Sequence, residues 1–242
     1  VKLPNGTITL GGMTKGAAMM HPNMGTLLGV ITTDAAIPAE AMLPMLRAAV
    51  DRSYNAITVD GDTSTNDTIL FLANGASGVN ADDSDSLLVI QQALDALCQS
   101  LAKMVVLDGE GATKFVEVRV TGALSPTDAH QIASSIATSP LVKTAFTGSD
   151  PNWGRILMAA GRSGIAMRQS LLSLWIARPE AEELQLVAAG TPTAFPESAA
   201  AAIFATPAFI VHLDLGLGDG DFTVWTTDLS HDYVTLNADY RT

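Results

Sequence analysis

The 242-residue sequence predicts a layered α+β fold. Short apolar runs of period two alternate irregularly with helical stretches, and a glycine-rich turn late in the chain signals a hairpin. Both features argue against a doubly wound parallel sheet. No repeat or low-complexity linker interrupts the chain, and 48% hydrophobic against 16% charged residues marks a compact globular protein.

Residues 7–12 (Thr-Ile-Thr-Leu-Gly-Gly) alternate like a short strand. Leu27 to Thr33 reads as a buried strand, closed by Thr33-Asp34. A helix follows from Pro38 or Pro44 to about Tyr54; Pro44 suits a first turn, because deeper in a helix its ring clashes with a carbonyl one turn back. Ile57-Thr58-Val59 is a strand, Asp60 to Asp67 a polar loop, and Ile69 to Ala73 a second apolar strand. Ser84 is placed to cap a long helix running to about Met104. On that helix Leu94, Leu97, Cys98 and Leu101 share a face, which puts the lone cysteine in the core.

Leu107 to Lys114 is a glycine-bracketed loop before a strand from Phe115 to Val120. In that strand Val116, Val118 and Val120 face one way, Glu117 and Arg119 the other. Ser125-Pro126-Thr127-Asp128 carries a cap, a first-position proline and a first-turn acid, a strong helix start. Trp153 to Ala160 reads as another helix. Val211, Leu213, Leu215 and Leu217 alternate, and Gly218 to Asp221 turns them onto Phe222–Trp225 as a hairpin. The chain closes on the strand-like Tyr233-Val-Thr-Leu-Asn237.

A net charge of −12 argues against a nucleic-acid partner, whose phosphates demand a basic surface. A small anionic substrate held by one or two local cations remains open. The single cysteine rules out an intramolecular disulfide framework and a thiolate metal cage. No apolar run approaches the ~20 residues of a membrane span, and Val1–Gly6 has no hydrophobic signal region. A cytoplasmic protein with no membrane partner is the expectation. The absence of an initiator methionine reads as a fragment or a processed product.

The stretch from Lys15 to Gly29 bears the most chemistry. It places a small residue, Gly25, before a hydroxyl residue, Thr26, which opens the apolar run Leu27, Leu28, Val30, Ile31. Such a junction suits a precursor that cleaves itself at Gly25–Thr26. The freed Thr26 would carry a hydroxyl nucleophile and, beside it, an α-amine of pKa roughly 7.7–8.0 that serves as its base. On local pattern alone, a threonine after glycine at a strand edge is ordinary, and that plain reading is favoured.

Other motifs fail their tests. Asp60–Asp67 lacks the calcium-loop glycine, having Thr65 there, and has Phe71 where a bidentate glutamate is required; a hydrogen-bonded loop that scaffolds a site fits better. Gly216–Asp221 leads into no helix, so it offers no phosphate cradle. His21, His130, His212 and His231 are scattered, without metal-site spacing, and no G-x-S-x-G elbow exists. Glu110 sits between two glycines, where backbone can approach a ligand. Taken singly, Glu110 reads as a turn carboxylate and Lys15 as a surface lysine.

Assembled, these residues resemble the ornithine acetyltransferase (glutamate N-acetyltransferase) family of arginine biosynthesis. The resemblance runs through Lys15-Gly16, Pro22-Asn23-Met24, Thr32–Ile37, Val59–Thr68 and Leu72–Gly75. It continues through Asp108–Lys114, Asp150-Pro-Asn-Trp-Gly-Arg155 and the terminal Asn237–Thr242. It implies an αββα sandwich of N-terminal-nucleophile type, assigned to residues 1–120, with a second, smaller α/β domain at 121–242 whose end returns to the active site. It implies cleavage before Thr26 into α and β chains that stay together, in an α2β2 assembly. The family's usual residue before the nucleophile is alanine; Gly25 is also small. By the same resemblance Thr26 is the nucleophile, Lys15, Thr26, Glu110, Asn237 and Thr242 contact substrate, and the oxyanion hole lies on an upstream part of the α chain. N2-acetylornithine would donate acetyl to glutamate through an acetyl-threonine ester, with no cofactor and no metal. Two rivals remain: an N-terminal-threonine amidase or aminopeptidase, and a non-catalytic amino-acid-binding relative.

Overall fold

The computed structural model describes residues 1–16, 27–62 and 66–239. The chain forms two compact units: Val1–Ile57 with Gly61–Val105, and Thr58–Asp60 with Val106–Thr242. The chain passes from the first unit to the second at Val105/Val106, near the end of the long helix.

The first unit begins with β1 (Lys2–Leu3), β2 (Gly6–Thr7), β3 (Leu10–Lys15) and β4 (Leu28–Thr33). The single strand expected over 7–12 is thus divided, with Ile8 and Thr9 between β2 and β3. Helix α1 (Ala39–Asp51) follows Pro38, so Pro44 lies inside it, contrary to the first-turn expectation. Pro44 is exposed, where water can serve the carbonyl that its missing N–H leaves without a donor. The short β5 (Ile57–Thr58) leads to the second unit, and β6 (Thr68–Ala73) returns.

The sheet runs β3-β4-β6, with β3 antiparallel and β6 parallel to β4. Helix α2 (Ser84–Leu107) follows it. The cap of α2 is Asp83, not Ser84: its carboxylate accepts from Ser86 N–H at 2.8 Å. The Ser86 hydroxyl, and after it that backbone bond, hold the Asp83 carboxyl below its ordinary range. Leu94, Cys98 and Leu101 are buried as the apolar face predicts. Leu101 closes on β3 at Gly12, where a Cβ would stand 3.0 Å from its Cδ1. The opposite sheet face presents exposed Met13, Leu28, Leu70 and Leu72.

The second unit holds β7 (Phe115–Ala123), α3 (Pro126–Ala137), α4 (Pro140–Thr147), α5 (Trp153–Gly161), β8 (Ser173–Ala177), β9 (Leu184–Ala188) and β10 (Thr191–Pro192). Then come α6 (Glu197–Phe204), β11 (Ala208–Asp214), β12 (Gly220–Thr227) and α7 (His231–Asp239). The sheet order is β10-β9-β8-β11-β7-β12-β5. Val116, Val118 and Val120 are fully buried against Ile132, Ile136, Phe146 and Ile156, while Arg119 bonds Glu117 at 2.7 Å on the other face. Ser125 caps α3 by accepting from Asp128 N–H at 3.1 Å, as its sequence requires.

Two expectations fail here. The strands at Val211 and Phe222 are not a hairpin: β7 lies between them, parallel to β11 and antiparallel to β12. The connection crosses the end of β7, Leu215 N donating to Thr121 O (2.9 Å) and Leu217 N to Gly122 O (2.7 Å). Gly122 has φ +69°, and a Cβ there would sit 2.6 Å from Gly216 N, so this crossing needs glycine.

The second failure is Tyr233–Asn237, which is helical. Ser230 Oγ accepts from Tyr233 N–H at 3.3 Å, a helix start that the alternation reading overlooked. Val234 and Leu236 are both exposed, so no sheet face draws the segment into a strand. Among the described residues, no helix is long and apolar enough to cross a membrane.

Candidate active site

In the first unit, Lys15 ends β3 and is exposed. The antiparallel register pairs Lys15 with Leu28, and the parallel register pairs Leu28 with Thr68. Lys15 is thereby held in register beside the strand start that follows Thr26 in the chain. Gly25 and Thr26 themselves lie outside the described residues, as does Thr242.

Leu27, the residue after Thr26, is 2% exposed and bound at both ends of its backbone. Its N–H donates to Asp67 Oδ1 at 2.6 Å, and its carbonyl accepts from Thr68 N–H at 2.9 Å. Burial pushes the Asp67 carboxyl above its ordinary pKa, and the Leu27 amide pulls the other way.

In the second unit, Glu110 stands on a tight turn after α2, where Ala112 N donates to Gly109 O at 3.0 Å. Gly111 has φ +66°, and a Cβ there would lie 2.8 Å from Tyr233 Cα, with the Tyr233 nitrogen closer still. Only glycine lets this turn meet the start of α7. Ser230 Oγ donates to Gly111 O at 2.6 Å while it caps α7. Tyr233 reaches Asp60, its hydroxyl 3.1 Å from Oδ2. Asn237, one turn further, donates from Nδ2 to Glu110 Oε2 at 3.0 Å and to Tyr233 O at 2.9 Å. Two predicted substrate residues, 127 positions apart, are therefore in direct contact.

A buried polar network underlies the pair. Asp228, 3% exposed, accepts from Thr113 N–H, Lys114 N–H and the Thr113 and Thr147 hydroxyls at 2.6–3.1 Å. Below it Lys143, 2% exposed, donates to Thr226 Oγ1 at 2.8 Å, to Thr227 Oγ1 at 3.3 Å and to Thr227 O. Desolvation lowers its ammonium pKa to about 7, against the opposing pull of Asp228 and Asp60. Lys114 Nζ binds the carbonyls of Phe146 (2.5 Å) and Phe204 (2.6 Å), at the ends of α4 and α6. Lys143 and Asp228 escaped the sequence reading; the one available signal was a lysine amid the apolar Leu141, Val142, Ala145 and Phe146.

The run Asp150–Arg155 builds the start of α5, Asn152 Oδ1 accepting from Arg155 N–H at 3.2 Å. A cavity of about 440 Å³ there is lined by Asp150, Asn152, Trp153, Phe195 and Glu197, without Glu110 or Asn237. Among the described residues no three His, Cys, Asp or Glu side chains gather as for a metal ion.

Comparison with known proteins adds identity to this geometry. The sequence is 47% identical over 238 residues to the mitochondrial arginine biosynthesis bifunctional protein ArgJ of Schizosaccharomyces japonicus, covering 97% of this chain and 55% of that protein. It is 46% identical over 244 residues to the arginine biosynthesis bifunctional protein ArgJ of Symbiobacterium thermophilum, covering 100% of this chain and 60% of that one. The chain thus spans little more than half the length of these relatives. The crystal structure of arginine biosynthesis bifunctional protein ArgJ from Bacillus halodurans matches with a TM-score of 0.79 and 36% identity, over 92% of this chain and 100% of that one. The shared fold is α+β, of N-terminal-nucleophile type. The sequence model of the ArgJ family matches residues 1–242 in full, and the chain belongs to that family.

Proposed function

We propose that this chain is the nucleophile-bearing part of an ornithine acetyltransferase, moving acetyl from N2-acetylornithine to glutamate. The observation that carries the reading is the Asn237–Glu110 hydrogen bond at 3.0 Å, which joins two resemblance-assigned substrate residues from opposite ends of the second unit. In this reading the Gly25–Thr26 bond is cut and the Thr26 amine is freed. Thr26 Oγ attacks the acetyl carbonyl, its proton passing through the amine to the departing ornithine nitrogen. The acetyl-threonine ester is then attacked by the glutamate amine, which restores the hydroxyl. Ornithine offers a distal cation where glutamate offers a distal anion, and both share an α-carboxylate. Lys15 and Glu110 supply one charge of each sign, and Asn237 and Thr242 add hydrogen bonds.

The exposed apolar face of β3-β4-β6, bearing Met13, Leu28, Leu70 and Leu72, supports a second sheet supplied by the upstream α chain, as an αββα sandwich needs. An α2β2 assembly and a compartment shared with arginine biosynthesis, cytoplasmic or mitochondrial, complete the proposal. The full-length protein should show a mass break at Gly25–Thr26 and transfer acetyl to glutamate. Thr26→Ala should abolish both while the fold persists. Acetate release without transfer would favour the amidase, and transfer by an uncut chain would refute the mechanism.

A further inference from the structure

Asn237 spends both hydrogens of its side-chain amide. One goes to Glu110 Oε2 at 3.0 Å and the other to Tyr233 O at 2.9 Å. A carboxylate and a carbonyl can only accept, so the nitrogen must face both and the amide has one orientation. Asn237 is exposed, and these two acceptors, rather than close packing, set its place. Helix α7 as a whole has no buried residue, so packing does not fix its pose either.

Polar contacts converging on Tyr233 do. Its backbone lies against Gly111, where a Cβ would come within 2.8 Å of Tyr233 Cα, and its N–H donates to Ser230 Oγ at 3.3 Å. Its half-buried ring carries the hydroxyl to Asp60, donating to Oδ2 at 3.1 Å across 173 positions of sequence. Asp60 is a firm anchor, because it directly follows the buried Thr58 and Val59. Val59 also packs under the turn that carries Glu110, since a Cβ on Gly109 would stand 3.2 Å from both of its γ carbons. Consecutive residues therefore serve the two halves of the pair: Val59 supports the Glu110 turn, and Asp60 holds the helical turn that presents Asn237. A hydrogen bond to a charged acceptor is stronger than one between neutral groups, which suits it to this task. Resting on the functional reading above, we propose that Tyr233, latched by Asp60, is a positioning residue for substrate binding: it fixes the carbonyl and the turn of α7 from which Asn237 meets Glu110.

The test uses the cleaved full-length enzyme. Tyr233→Phe keeps the ring and the backbone against Gly111 and removes only the hydroxyl. KM for N2-acetylornithine and for glutamate should rise about 5-fold, with kcat within about 2-fold of the wild type. The hydroxyl acts through Asn237, so Tyr233→Phe added to Asn237→Ala should raise KM no further. A purely structural hydroxyl would lower Tm and leave KM alone, or would raise KM by the same factor in both backgrounds, and either result overturns the inference. Should Tyr233→Phe not fold, Asp60→Ala removes the acceptor instead, and its KM rise should likewise vanish on Asn237→Ala. Asp60 also acts on Lys143, so that variant is read by this masking and not by stability. An Asn237→Ala enzyme of unchanged KM overturns the inference alone. A wild type that transfers no acetyl overturns the functional reading, and this with it.

Discussion

Asp228 accepts both the backbone N–H and the hydroxyl of Thr113, at 2.8 and 2.6 Å, and so ties the exit of β12 to the turn that carries Glu110. Asp228→Ala leaves these buried donors without an acceptor. It should destabilise the protein by about 3 kcal/mol, read in a urea titration, and raise KM as the Glu110 turn loosens. Asp228→Asn should lose less, since it retains an acceptor.

Lys143 sets a pH dependence. Its amine deprotonates near pH 7 in the fold and near 10.5 when the chain unfolds. Between those values the unfolded chain holds the extra proton, so stability should climb as pH rises from 7 to 8.5. The slope is at most about 1.4 kcal/mol per unit. Lys143→Met should flatten that slope in paired denaturation curves.

Gly111→Ala combines a left-handed φ with a Cβ driven into the Tyr233 backbone. The turn and the start of α7 cannot both keep their places. We expect a loss of about 2 kcal/mol or more, seen as a lower Tm, together with loss of acetyl transfer.

Asn237 is exposed, so Asn237→Ala should change stability by less than about 0.5 kcal/mol. Its bond to Glu110 should matter for substrate instead, with KM for the amino-acid substrates rising about 10-fold, equivalent to about 1.4 kcal/mol. Steady-state kinetics with unchanged KM would remove Asn237 from the substrate contacts.

Local chemistry was legible where it acts on its own neighbours. Ser125 and Pro126 announce α3, and the alternation of Val116, Val118 and Val120 announces a half-buried strand, because cap and pleat are written within a few residues. The apolar helix face likewise placed Cys98. Non-local geometry was not legible. The alternating apolar residues of β11 and the aromatics of β12 look like hairpin partners in sequence, yet both strands choose β7. The alternating Tyr233–Asn237 run follows Ser230, whose capping role emerges only where Gly111 meets it. Lys15, Glu110 and Asn237 were found through motif resemblance. Asp67 lay within the matched Val59–Thr68 run without a role of its own, while Lys143 and Asp228 went unseen, because a lone acid or lysine acquires meaning only from groups far away in the chain.

The flanking of β7 by β12 has a metrical consequence. Thr227 stands opposite Phe115, so the segment after β12 departs from the very end of the sheet at which the Glu110 turn arrives. A slip of β12 by one repeat of the pleat would displace its tail by roughly 7 Å, more than twice a hydrogen bond. The alignment of two adjacent strands thus acts as a ruler for a polar pair that neither strand contains.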